Sequence, residues 1–404
     1  MKRQLKVKIQ IYDLLFYLLL VFSFYFTRNI VCSLLMMLFF GYTILLQIKN
    51  RSRGVMPFFC IGMLIFILYG AGNIVMKNVL YPSVARTMVI SLTLNLMMTY
   101  AIIQYINIKR DIPKVLHITE CGILTTTVLV VLLSLETITS DRLARGTAMN
   151  ANMLSLLCVY GFVLALYLRK IGILSRSAGW IRSVIYVGSI LLTGSRKALI
   201  MIVLVIMVIN AAEGGLKIIK AIFTSIIAVV GLYLLIMNVP ALYNIIGVRM
   251  ENLLVLLTEG TTTEGSLNTR QALIQVGMKY IAQNPWTGYG LDCFKMISGM
   301  GGKGKVGIGE VGFYAHNNYI ELLFGAGIIG MILYYIPVLS TLKKLLKGIK
   351  ENVCAIYLLA LLVSKLAVEY THVSYYARMD AYIMAIIVGC CCLFNSQRNQ
   401  CRLG

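Results

Sequence analysis

Charged side chains make up only 13% of the 404 residues, acids number 15, and there are three histidines. A soluble chain of ordinary composition is about a quarter charged, so a soluble enzyme and a disordered protein are both excluded. Cysteine occurs ten times, but mostly inside long apolar runs; only Cys293 falls in a sizeable polar loop. That excludes a secreted disulfide scaffold and implies no zinc ligand set. Internal repeats and low-complexity segments are missing as well. What fills the chain is apolar: 59% is hydrophobic and the mean hydropathy is +0.84. Against this stands a formal charge of +22, which suits either a nucleic-acid partner or the orientation signal of a membrane protein.

A bilayer-spanning helix needs about 20 mostly apolar residues. Such runs occupy 11–27, 30–48, 57–76, 84–106, 115–138, 151–168, 180–194, 197–210, 218–239, 317–341, 353–371 and 378–394. They predict an all-α polytopic membrane protein of about 12 transmembrane helices. The pair 180–194 and 197–210 is divided only by a Gly-Ser-Arg turn. As one segment it is too long for a single span and breaks the charge alternation, so it is read as two. The basic residues decide the orientation. Lys2, Arg3, Lys6 and Lys8 precede the first span, and further clusters at 49–53, 109–114, 169–182, 217–220 and 343–350 fall on the same side. The positive-inside rule then places both termini in the cytoplasm. The basic start resembles a signal peptide but lacks a small-residue cleavage site, so it is read as a retained first helix. Because the basic residues are scattered among short loops and form no continuous patch, nucleic-acid binding is excluded.

The chain therefore divides into nine spans over 1–239, a large external loop over 240–316, and three spans with a short tail over 317–404. A long loop of mixed charge on a membrane bundle is where function is sought. From Asn268 to Gln283 it reads as an amphipathic helix lying along the membrane surface, capped by Asn268 and stopped at Asn284-Pro285. Leu273, Ile274, Val276, Tyr280 and Ile281 fill one face. Arg270 then sits in the first turn, where it suits an anion, although taken alone it reads better as snorkelling toward lipid headgroups. The turn Asn284-Pro-Trp-Thr-Gly-Tyr-Gly290 carries Trp286 and Tyr289, rings that can stack on sugars or populate the interface belt. Gly299-x4-Gly304-Lys305 approaches a phosphate-binding loop, but Val306 replaces the required hydroxyl and the segment faces outside, so it is read as a spacer.

The loop closes with Tyr314-Ala315-His316-Asn317-Asn318-Tyr319. His117 lies within a span and His372 at the end of one. His316 stands where a helix points its N-terminus outward, a place that disfavours imidazolium and leaves a neutral base; capping the helix is the alternative use. Two more outer turns carry cations: Thr193-Gly194-Ser195-Arg196-Lys197, and Arg142-Leu143-Ala144-Arg145 leading to Asn150-Ala151-Asn152. Cations and helix N-termini gathered around one neutral base suit a lipid-linked phosphate.

These pieces resemble the O-antigen ligase/polymerase superfamily of bacterial membrane glycosyltransferases. Arg142 to Asn152 resembles its R…G…NxN segment, and Gly194-Ser195-Arg196 its GSR turn. Arg270 through Asn284-Pro285, Gly288-Tyr289-Gly290 and Phe294 resembles its R…NP…GxG…F loop. His316-Asn317-x-Tyr319-x-Glu321-Leu322-x-x-Gly325-x-Gly327 is the strongest match. The likeness covers about residues 140–335; Lys197 and Ala151 depart from the common glycine and proline. It implies a GT-C-type fold in the bacterial inner membrane and a glycan donor on a polyprenyl pyrophosphate at the outer leaflet. Arg196 and Arg270, with Lys197 beside them, are then pyrophosphate contacts and His316 the catalytic base. Arg145, Asn150, Asn152, Asn317, Tyr319, Trp286 and Tyr289 are supporting or substrate-binding. No outer Asp-x-Asp offers a magnesium site, so arginine takes the metal's electrostatic role and no cofactor is expected. The expected partners are donor and acceptor glycans, membrane lipids, and flippase and chain-length regulator proteins.

A polymerase joining repeat units is preferred over a ligase that moves the glycan to a different lipid or protein, because no dedicated acceptor surface stands out. A twelve-span secondary transporter is the rival from another class. Lys365 and Glu369, one turn apart within a span, would be its ionisable pair, but they read better as a structural ion pair.

Overall fold

Every apolar run coincides with a helix, and no strand occurs among the described residues, which in this computed structural model are 10–25, 29–51, 54–135, 142–144, 147–214, 217–259, 265–301 and 312–401. In order these are α1 (Ile11–Tyr25), α2 (Ile30–Lys49), α3 (Phe58–Val75), α4 (Pro82–Lys109), α5 (Ile112–Leu133), α6 (Ala151–Lys170), α7 (Arg176–Leu192), α8 (Arg196–Glu213) and α9 (Lys217–Asn238). Then come α10 (Pro240–Leu242), a π-helical turn (Tyr243–Gly247), α11 (Val248–Glu259), α12 (Gly265–Gln283), α13 (Phe294–Gly301), α14 (Asn318–Gly348), α15 (Val353–Val368) and α16 (Arg378–Cys401). Among the described residues six helices, α2 to α6 and α14, are long and apolar enough to cross a membrane. A seventh span results if Val230–Asn238 and Tyr243–Asn252, bent by 113°, are taken together. α1 and α15 are apolar but only 15 and 16 residues long. Large side chains such as Met37 and Leu38 on α2 and Ile65 and Leu68 on α3 are exposed, as lipid-facing surfaces are. The chain is a multi-pass membrane protein.

Side-chain oxygens start several helices by taking otherwise unpaired backbone N–H groups. Asn29 accepts from Val31 N at 2.9 Å, Asp111 from Lys114 N at 3.0 Å, and Ser175 from Ala178 N at 3.2 Å. The chain folds as two compact units. Unit one takes the described residues of Met1–Arg53, Tyr105–Thr258 and Leu345–Ser364; unit two takes those of Gly54–Gln104, Glu259–Lys344 and Lys365–Gly404.

In unit one α1 packs on α2 and α5, and α6 on α5, α7 and α8. Tyr12, Phe16, Phe39 and Tyr105 form a buried aromatic cluster. α6 is the most enclosed of the six long apolar helices: a Cβ at Gly161 would lie 2.5 Å from the Tyr186 ring, so glycine lets the two helices approach. Among the described residues of unit one the buried acids are paired, Asp13 with Lys109 at 2.7 Å and Lys114 at 2.6 Å, and Glu120 with Arg182 and, at 2.8 Å, the Tyr186 hydroxyl.

Unit two is organised around α14, which is interrupted. Gly327 has φ 65° and ψ −171°, a conformation only glycine takes readily. The turn 284–290 supplies the hydrogen bonds that the interruption removes. Tyr289 N donates to Phe324 O at 2.8 Å and Gly290 N to Gly325 O at 2.9 Å. In return Ile328 N donates to Pro285 O at 2.8 Å and Ile329 N to Trp286 O at 3.3 Å. A Cβ at Gly288 would meet Phe324 O at 2.6 Å, so the glycines of both motifs serve one backbone-to-backbone contact. α12 lies against the same region. Leu273 and Ile281 are buried with Phe294, Ile297, Ile320 and Phe324, and Ile274, Val276 and Tyr280 pack at the edge.

Two expectations for this helix are corrected. It begins at Gly265, so Asn268 lies inside it and Arg270 falls in the second turn. Its apolar face is covered by protein and not by a membrane surface; periodicity reports that a face is buried without naming what buries it.

Candidate active site

The start of α14 is built by side chains. Asn317 Oδ1 accepts from Tyr319 N at 2.9 Å and Ile320 N at 3.2 Å, so Asn317 is the cap. His316 precedes it, half-buried, with φ 53°. The capping role considered for His316 therefore belongs to its neighbour. Its ring lies on Tyr314, with centroids 4.1 Å apart. Burial pushes the Tyr314 hydroxyl above its ordinary range, while the Arg270 charge pulls it back and Glu321 adds to the rise. Unit two thus groups Arg270, Tyr314 and His316. Asn318 locks the following residues: its amide accepts from Ser374 N at 2.9 Å and Tyr375 N at 3.0 Å, and its backbone N donates to Glu369 O at 2.8 Å.

Around this start lie further buried polar groups. Glu321 Oε2 accepts from Ala315 N at 2.7 Å. Asp292, at φ 62°, receives Lys295, and burial raises its carboxyl while that lysine opposes the rise. Tyr319 O–H donates to Leu366 O at 3.0 Å, which spends the hydroxyl on packing. Tyr289, half-buried, is stacked on Phe324 at 5.2 Å with Tyr280 edge-on. Trp286 is 62% exposed, which leaves its ring accessible.

In unit one the turn 193–195 separates α7 from α8. Gly194 has φ 59°, and a Cβ there would lie 2.8 Å from Ile245 O. Arg142 Nε donates to Thr193 O at 2.6 Å and its Nη2 to Asn152 Oδ1 at 3.3 Å, while Leu143 N donates to Leu192 O at 2.9 Å. This brings the starts of α6 and α8 together. Asn150 caps α6 through Asn152 N at 2.8 Å and Met153 N at 3.1 Å. Arg196 opens α8 and donates to Arg249 O, and Lys197 follows, both half-buried. A depression of about 350 Å³ is lined by Arg142, Thr147, Asn150 and Asn152. Arg145 lies outside the described residues.

These two groups sit on the segments quoted for the resemblance. Residues 181–335 match the family model for O-antigen ligase. The match supports the O-antigen ligase/polymerase superfamily and indicates that type of function. It spans the GSR turn, α12, the docking turn and α14 through its break. No curated protein matches the chain. Within the matched segment the sequence assigned no role to Tyr314 or Glu321. Before the segment, Arg142, which opens the quoted motif and was given no role of its own, makes the contacts to Thr193 and Asn152. An acid in the first turn of an apolar helix was the available signal for Glu321. Outside the segment, His117, Glu120 and Cys121 have ligand atoms within 4.8 Å of one another, as a metal site requires. Both carboxylate oxygens of Glu120 are nevertheless engaged, by Arg182 and Tyr186.

Proposed function

We propose that this chain is a polysaccharide polymerase that joins polyprenyl-pyrophosphate-linked oligosaccharide repeat units on the outer leaflet of a bacterial cytoplasmic membrane. Its fold is read as twelve spans of GT-C type with both termini in the cytoplasm. The observation that carries the proposal is His316, held at the start of α14 against Tyr314, whose hydroxyl feels the Arg270 charge. A sugar hydroxyl of the acceptor attacks the anomeric carbon of the donor, and the bond to the pyrophosphate breaks with its electron pair leaving on oxygen. His316 takes the hydroxyl proton. Arg270, and Arg196 with Lys197, stabilise the charge that develops on the leaving group. One displacement inverts the anomeric centre, and the activated donor supplies the driving force.

The ligase reading is kept by the family description, O-antigen ligase. The transporter reading loses its main support, because Lys365 pairs with Glu369 and also reaches Ser374 Oγ at 3.1 Å, while Tyr335 O–H donates to Glu369 at 2.8 Å. These bonds describe a closed structural network. The deciding experiment uses the purified protein in liposomes with lipid-linked repeat units. A ladder of longer carrier-linked glycans is expected, and His316→Ala should abolish it. Glycan moved to a second lipid without any ladder would make it a ligase. Near-normal ladders from the His316 variant would remove the catalytic assignment.

A further inference from the structure

We infer that Glu321 is the residue that positions His316, an inference that rests on the base role proposed above. α14 carries one acid in its first turn, Glu321, and that side chain is only 1% exposed. Its Oε2 accepts from Ala315 N at 2.7 Å, and its buried Oε1 has no hydrogen-bond partner. A carboxyl buried with an oxygen unmet is costly and needs a reason. Capping the helix is not that reason, since Asn317 already takes the Tyr319 and Ile320 N–H groups.

The amide that Glu321 holds belongs to the residue immediately before His316. On the other side, Asn318 N is held by Glu369 O. Between these two fixed points His316 takes φ 53°, a left-handed conformation uncommon for a residue other than glycine. Remove the grip on Ala315 and the backbone at His316 loses an anchor, so the imidazole leaves its place on Tyr314. The required chemistry is an acceptor oxygen at the right reach, which a neutral carbonyl-type oxygen also supplies. Glu321 acts through the backbone and takes no proton from the substrate.

Reach and the carboxyl group separate cleanly in two variants. Glu321→Asp keeps the carboxyl and withdraws the oxygen by one methylene; Glu321→Gln keeps the reach and an acceptor oxygen and gives up the carboxyl. Both are compared with Glu321→Ala, His316→Ala and the unaltered protein in liposomes. The donor is polyprenyl-pyrophosphate-linked glycan purified from cells lacking this gene. Glu321→Asp and Glu321→Ala should lower kcat by about 100-fold, the cost of misplacing a catalytic group by about 1 Å, with KM for the donor within about threefold. Glu321→Gln should recover most of that loss. The reverse order, with Asp active and Gln dead, overturns the inference, as does Glu321→Asp at full activity while His316→Ala is dead. If Glu321→Ala fails to fold, the Asp and Gln pair decides alone. Activity surviving in His316→Ala overturns the base assignment itself, whatever the Glu321 variants do.

Discussion

The starts of α8 and α14 carry Arg196 and His316, and they are made in opposite ways. α14 begins on a side-chain cap: Asn317 takes two N–H groups, Glu321 holds the chain before it and Asn318 holds the chain after it. α8 begins on a backbone turn. Ser195 makes no side-chain cap bond, its Oγ is buried without a partner, and the turn is shaped by Gly194 and by Arg142 on the Thr193 carbonyl. A start whose N–H groups are served by its own side chain is suited to fixing one residue's posture. A start without a side-chain cap, opening on two cations, keeps its positive end for an anion. The difference matches the chemistry assigned to each, a proton acceptor in one place and charge stabilisation in the other.

That contrast can be broken, and apart from the loss of His316 itself the largest effect should come at α8. Arg196→Ala should cost about 10²–10³ in kcat, the usual loss when one donor to a developing anion is removed. Full turnover in that variant would leave α8 without its proposed role. Next, Gly194→Ala forces a Cβ toward the Ile245 carbonyl at positive φ, and should destabilise by about 1–3 kcal/mol, read as a lower melting temperature in detergent. Unchanged melting would mean that the turn does not need its glycine. The smallest effects test the caps directly. Asn317→Ala should cost about 1 kcal/mol. Ser195→Ala, which removes a hydroxyl bonded to nothing, should stay within about 0.5 kcal/mol of wild type. Equal losses from the two would show that the starts are not built differently after all.

Much of the helical framework was legible because long apolar runs leave a chain few alternatives in a membrane. The break between α7 and α8 was legible too, since Gly194-Ser195 reads as a turn. The loop was harder. α12 was recognised by its apolar face, yet that face was assigned to a membrane surface because Phe294, Ile320 and Phe324, which cover it, lie well beyond it in sequence. Tyr289 looked like a sugar platform for the same reason: its stacking partner is Phe324. The glycines at 288, 290, 325 and 327 marked two unusual stretches of backbone, and only the fold shows that each stretch accounts for the other. Glu321 was visible as an acid in an apolar helix, but the amide it serves depends on how the chain turns at His316.

The stitched interruption in α14 also governs how this region can open. An ordinary helix frays one residue at a time from its end, because each hydrogen bond closes on its own strand of chain. Here the carbonyls of Phe324 and Gly325 and the amides of Ile328 and Ile329 close on a separate segment, so neither can be released alone. The amides of Tyr289, Gly290, Ile328 and Ile329 should therefore exchange with deuterium at one common rate, as a single cooperative unit. The stub that begins beside His316 then shares its lifetime with a turn some thirty residues earlier in the chain.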